Sequence, residues 1–245
     1  MKAYNDLDPA VERQHALPAS VFEFLYKDKS CYLNSAIGEL TAGALFYAMR
    51  SCEYSSTEGN PKTKLLTLGD FFFYKKGKLI NTNRQSADNV KIIFRTQKSG
   101  VKDEPAVRGK APKNHPLCPV HIWAKIVDRV WSYKGSTDET PINTILVNDE
   151  PRLIKASTVR TTIRRAVLTL GEANLGIKAS KVGTHSIRTS CATMLSLQGE
   201  HPENIKIAGR WNSDQFLKYI RRNTTIISIT TKISAKSNRN LRSLN

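Results

Sequence analysis

The sequence predicts a mainly α-helical fold with a small antiparallel β-sheet, an α+β architecture, on three observations. Apolar residues recur at helical spacing in several proline-poor stretches, one middle stretch alternates apolar and polar residues around a turn, and the C-terminal third is a run of short capped helices. The 245 residues, 40% of them apolar, suffice to bury a core.

Residues 1–34 start polar and contain Pro9 and Pro18, which break any long helix, so they are expected to be a linker or docking segment. Residues 35–54 are rich in Ala, Leu and Met and read as one buried helix despite Gly38 and Gly43, its end carrying Arg50 and Glu53. Strands follow between 65 and 94, with a turn at the KKGK of 75–78 and then Val90, Ile92 and Phe94 alternating with Lys91, Ile93 and Arg95. Ser99-Gly100 is a turn signal that puts Lys98 at or near a hairpin tip. From Cys118 to Trp131, Val120, Trp123, Val127 and Val130 make a core helix, with Pro119 acceptable in its first turn. A second amphipathic helix starts near Ser157 as N-cap and ends at Gly171, with Arg160 and Arg164 on its polar face.

The next helix opens at Thr184 as N-cap and stops at Gly199. His185 and Arg188, three apart, share a face that points away from the apolar stripe of Ile187, Cys191, Met194 and Leu195. Two short helices follow, 202–208 and 213–222, the second with Ser213 as N-cap. The tail 223–245 is polar and basic around one apolar patch at 226–229, and no internal repeat is visible.

Against 21 acidic residues stand 38 Lys and Arg, a formal charge of +17, which exceeds what solubility needs and predicts attraction to a polyanion, nucleic acid first. A protein that is merely basic is the alternative that charge alone leaves open. No window holds the roughly 18 consecutive apolar residues that span a bilayer, and no secretory signal opens the chain, so a soluble, intracellular protein is expected, nuclear if eukaryotic. Cys31, Cys52, Cys118 and Cys191 lack a CxxC pair and suit reduced thiols. His115, Cys118 and His121 match no common zinc spacing and lack a fourth ligand.

The sharper signal lies in HSIRTSCATM at 185–194 followed by AGRWNSDQFLKYIRR at 208–222. An HxxR, then a Gly-x-Trp turn, then a Tyr in a Tyr-Ile-Arg context resembles the active-site end of tyrosine recombinases, and the wording is similar to that of Crypton-type and DIRS-like eukaryotic mobile elements. The resemblance implies two further residues upstream, and both occur in order. Arg50 stands in the Arg-x-x-Glu context of Arg50-Ser51-Cys52-Glu53, and Lys98 in Thr96-Gln97-Lys98-Ser99-Gly100. Covering residues 36–222, the resemblance implies the catalytic-domain fold of that family over 35–222, with a linker before it and a basic tail after it. Relatives carry a helical DNA-clamping domain before the catalytic one, so a fragment or degenerate copy is expected.

The resemblance assigns a catalytic role to Arg50, Lys98, His185, Arg188, Trp211 and Tyr219. Attack of a tyrosine on a DNA phosphodiester places extra negative charge on the non-bridging oxygens, which guanidinium forks such as Arg50 and Arg188 hold well. His185 would donate to the same oxygens or take the phenol proton, Trp211 would offer its indole N–H and packing, and Lys98 would protonate the departing 5′-oxygen. Tyr219 would carry the covalent 3′-phosphotyrosyl link, so neither metal nor any other cofactor is implied. Glu53 reads as support for Arg50, or a surface ion pair, and not as a base. Double-stranded DNA is the expected partner, gripped through Lys155, Arg160, Arg164, Arg210 and Lys98, by several protomers that dock through the 226–229 patch. The alternative is a non-catalytic DNA-binding module in which 202–209 and 213–222 form a helix-turn-helix with Arg210, Lys218 and Arg221 on DNA, or a recombinase that has lost activity.

Overall fold

The computed structural model describes residues 14–59, 63–96, 100–113, 115–214, 216–217 and 220. Lys98, Lys218, Tyr219, Arg221 and the 223–245 tail lie outside them. The helices are α1 (Ala19–Lys27), α2 (Tyr32–Phe46), α3 (Ser51–Tyr54), α4 (Pro119–Trp131), α5 (Ala156–Leu170), α6 (Glu172–Leu175), α7 (Thr184–Leu197) and α8 (Pro202–Ala208). Residues 216, 217 and 220 are also helical.

Strands β1 (Phe71–Lys75), β2 (Lys78–Ile80), β3 (Asn89–Thr96) and β4 (Lys102–Gly109) form one antiparallel sheet in the order β2-β1-β3-β4. Its register puts Phe71 opposite Ile92, and Ile92 opposite Ala106. Val90, Ile92 and Phe94 face the core while Lys91, Ile93 and Arg95 are less buried, the period-two pattern of a strand with one covered face. A separate hairpin joins β5 (Thr144–Val147) to β6 (Glu150–Leu153).

Helix α2 is the axis of the molecule. Every residue from Ala36 to Leu45 is buried, so it is covered on all sides, by α1, α4, α5 and α7. Its one buried acid, Glu39, is balanced from α4 by Lys125 at 2.8 Å and Arg129 at 3.5 Å. The sheet packs on α4, where Trp123 sits in an aromatic group with Tyr47 and Phe71.

Three expectations need correction. Of the linker or docking segment expected at the N-terminus, the described part agrees with the second and not the first: α1 buries Val21, Phe22 and Leu25, and Pro18, expected to break a helix, is its N-cap. The single helix expected over 35–54 is two. It stops at Phe46, turns through Ala48 at φ +45°, and restarts at Ser51. The capping residues also differ: Lys155 and Gly183, not Ser157 and Thr184, precede α5 and α7.

Helices α1 and α2 meet at Gly38, where an added Cβ would lie 2.0 Å from the Leu25 carbonyl oxygen. Backbone cannot swing aside as a side chain can. Gly38→Ala is therefore expected to cost at least about 1–3 kcal/mol, read as a lowered urea midpoint. An unchanged midpoint would mean that the two helices are not in contact there.

Candidate functional site

The C-terminal end of α2 gathers arginines from three other parts of the chain. The last carbonyls of a helix have no partner within it and carry the negative end of its dipole. Here the last of them, and the two carbonyls of the turn that follows, are taken by guanidinium groups. The Phe46 carbonyl accepts from Arg108 Nε of β4 at 2.8 Å, that of Tyr47 from Arg210 Nη2 at 3.3 Å, and that of Ala48 from Arg188 Nη1 of α7 at 2.5 Å. Arg50 follows two residues later as the N-cap of α3.

Glu53 binds this cluster together. It is fully buried, and its carboxylate accepts from Arg210 at 2.9 and 3.1 Å, from the Arg50 backbone N–H at 2.8 Å, and from Arg50 Nη1 at 3.2 Å. Burial alone would raise the Glu53 carboxyl pKa. The charge and hydrogen bonds of Arg210, helped by Arg50, outweigh it and hold the carboxyl below the ordinary carboxylate value. Glu53 thus supports Arg50 as the sequence suggested, but its stronger partner is Arg210.

Arg188 is buried, only 4% exposed. Its guanidinium carbon stands 4.3 Å from the centroid of the Trp211 ring, and Nη2 donates to the Arg210 carbonyl at 3.4 Å. Two of its five N–H donors are taken by those carbonyls. Burial, then the positive charge of Arg50, then that of Arg210 push its pKa down to about 9, against the opposing pull of Glu53. It remains a cation at neutral pH, in a field that favours an added anion.

Trp211 is partly buried between Arg188 and Phe216, whose ring stacks on it at 5.5 Å. The loop admits it because Gly209 has no side chain: a Cβ there would lie 1.4 Å from the indole ring. Phe216 and Ile220 join Ala192 and Ile205 in a small second core beside α7 and α8.

The structure thus brings Arg50, Glu53, Arg188 and Trp211 together, with His185 exposed on the first turn of α7. Lys98 and Tyr219 are outside the described residues. The expectation that His185 and Arg188 both face away from the core holds for His185 only. Arg188 is covered by the α2 end and by Trp211, which a helical wheel of α7 cannot reveal.

The DNA contacts need revision as well. Arg210, at φ +54°, has a side chain 3% exposed, locked to Glu53 and lying over the Phe94 ring. It is internal, which removes the central contact of the helix-turn-helix alternative. Arg164 donates to the carbonyls of Val182 and Ser180, tying α5 to the loop that enters α7. Lys155 and Arg160 are exposed, and Lys155 pairs in a β-bridge with Ser56, just past α3. No group of His, Cys, Asp and Glu able to hold a metal occurs among the described residues. No helix among them is long and apolar enough to cross a membrane. Arg108 is a structural member of the site that the sequence pattern did not single out. Its exposed-strand setting in β4 gives no hint of the helix end it reaches.

No protein-family model matches the sequence, and no curated protein matches it. Solved structures do. The chain is similar to XerH site-specific recombinase bound to palindromic difH substrate in a post-cleavage complex, with TM-score 0.55 and 16% identity over 94% of this chain and 56% of that one. It is similar to XerA recombinase, with TM-score 0.51 and 16% identity over 94% of this chain and 67% of that one. A lambda integrase dimer bound to a COC' core site gives TM-score 0.50 and 13% identity over 88% and 50% of the respective chains. The chain therefore has the tyrosine recombinase catalytic-domain fold, mainly α with a small antiparallel sheet, and spans little more than half the length of XerH.

Glu53 and Arg210 generate a direct prediction. Removing one partner of a buried ion pair strands the other, at a cost of about 3–5 kcal/mol, so Glu53→Gln and Arg210→Met should each lower the thermal midpoint sharply. Because the Glu53 pKa is depressed in the fold, its contribution is complete above the unfolded value and is lost as pH falls through the folded one. The acid limb of stability against pH should accordingly be shallower in Glu53→Gln. A midpoint that follows the wild-type curve would remove Glu53 from the centre of the site.

Proposed function

We propose that the chain cleaves and rejoins DNA strands as a tyrosine recombinase, with Tyr219 as nucleophile. The observation that carries this reading is that Arg188 reaches the Ala48 carbonyl past the end of α2, two residues before Arg50. Both belong to a largely buried, positively charged cluster in which one carboxylate, that of Glu53, holds Arg50 and Arg210, and Arg188 donates to the Arg210 carbonyl.

In the proposed reaction the Tyr219 oxygen attacks the scissile phosphorus, a 3′-phosphotyrosyl bond forms, and the bond to the 5′-oxygen breaks. Arg50 and Arg188 hold the non-bridging oxygens as charge grows on them. His185 donates to those oxygens or takes the phenol proton, the indole of Trp211 backs Arg188, and Lys98 gives a proton to the leaving 5′-oxygen. Bond energy is kept in the phosphotyrosine, so rejoining reverses the same steps. Lys155 and Arg160 grip the duplex backbone, and several protomers act together on two duplexes, integrating or excising a mobile element of the Crypton or DIRS kind.

A nicked duplex that loses its 5′ fragment on cleavage traps the intermediate. Wild type should give a covalent protein–DNA band that survives denaturant, Tyr219→Phe none, and both should bind the duplex equally. Binding should weaken steeply with salt, with a shallower slope for Lys155→Ala and Arg160→Ala. Equal non-covalent retention with no adduct from wild type would make the chain a DNA-binding module and not an enzyme.

A further inference from the structure

The N-terminus of α7, which presents His185, is capped from the other end of the chain. Gly183 precedes the helix and has no side chain to cap it. Instead the Gln14 side-chain oxygen accepts from the backbone N–H groups of His185 at 2.9 Å and Ser186 at 3.2 Å. Those are two of the four donors at a helix start, and the Ser186 N–H is shared between Gln14 and the Gly183 carbonyl at 3.0 Å. Gly183 makes the approach possible, because a Cβ there would lie 2.8 Å from the Gln14 amide nitrogen.

Gln14 is fixed by its neighbours. The His15 N–H donates to the Lys181 carbonyl at 2.9 Å, the Leu17 N–H donates to Ser190 Oγ of α7 at 2.7 Å, and Leu17 itself is fully buried in the main core. Residues 14–17 therefore lie as a strap along the first two turns of α7, the turns that carry His185 and Arg188. The two N–H groups that would otherwise draw an anion to the helix start are occupied, so a phosphate at this site has to be held by side chains.

We propose that Gln14 is a positioning residue for the strand-cleavage reaction, fixing the first turn of α7 and with it the imidazole of His185. This rests on the recombinase reading above.

The test uses the full chain on the nicked duplex, with Gln14→Leu, which keeps the size but cannot accept, and Gln14→Glu, which accepts the same two bonds and adds a charge. Duplex affinity, adduct rate at saturating duplex and thermal midpoint are measured for each. Gln14→Leu is expected to slow adduct formation about 10- to 100-fold, with affinity unchanged. Gln14→Glu is expected to recover most of that rate and to move the pH–rate profile to higher pH, since the added carboxylate favours protonated His185. An adduct rate for Gln14→Leu equal to wild type, or a loss of rate and affinity in equal measure, would overturn the positioning role alone. A wild type that forms no adduct would instead overturn the recombinase reading, and the positioning role with it.

Discussion

The turn after α2 is the constraint on which the site depends. A helix that ends inside a protein must find donors for its last carbonyls and for those of the turn after it; here the turn's backbone serves Ala44 and Leu45, and Arg108, Arg210 and Arg188 serve Phe46, Tyr47 and Ala48. Each comes from a different element, so satisfying one helix end fixes the sheet, the loop before residue 216 and α7 relative to one another. The same bonds draw together like charges that would otherwise separate. The helix end thereby builds a cationic centre out of a folding requirement.

Glu53 keeps that centre from flying apart. One carboxylate serves two guanidiniums and a backbone N–H, and it does so without solvent, where each bond is worth more than at the surface. Against Arg50, Arg188 and Arg210 it leaves a net positive charge, which adds to the larger effect of burial in depressing the pKa of Arg188. An anion that enters would relieve that repulsion, whereas a cation would add to it. Trp211 adds a flat face beside Arg188, and Gly209 is the residue that lets the ring lie there.

Much of this was legible in the sequence where a pattern is local. The alternation of Val90, Ile92 and Phe94 marks β3, and the stripe of Val120, Trp123 and Val127 marks α4, because each needs only its own periodicity. Motif order likewise picked out Arg50, Arg188 and Trp211, which the structure does bring together. The failures are tertiary. Pro18 looks like a breaker although it begins α1, Arg210 looks like a surface cation although Glu53 claims it, and nothing near Gly183 announces a cap held 171 residues away. Charge pattern cannot distinguish an arginine that faces DNA from one that faces a buried carboxylate.

The account stands on one phosphate meeting the arginines at the α2 end. A structure of the chain on a nicked duplex tests this most directly. The scissile phosphate should have its non-bridging oxygens within hydrogen-bond distance of both Arg50 and Arg188, beside the Trp211 ring. A duplex lying along Lys155 and Arg160 with no phosphate at that pair of guanidiniums would contradict it.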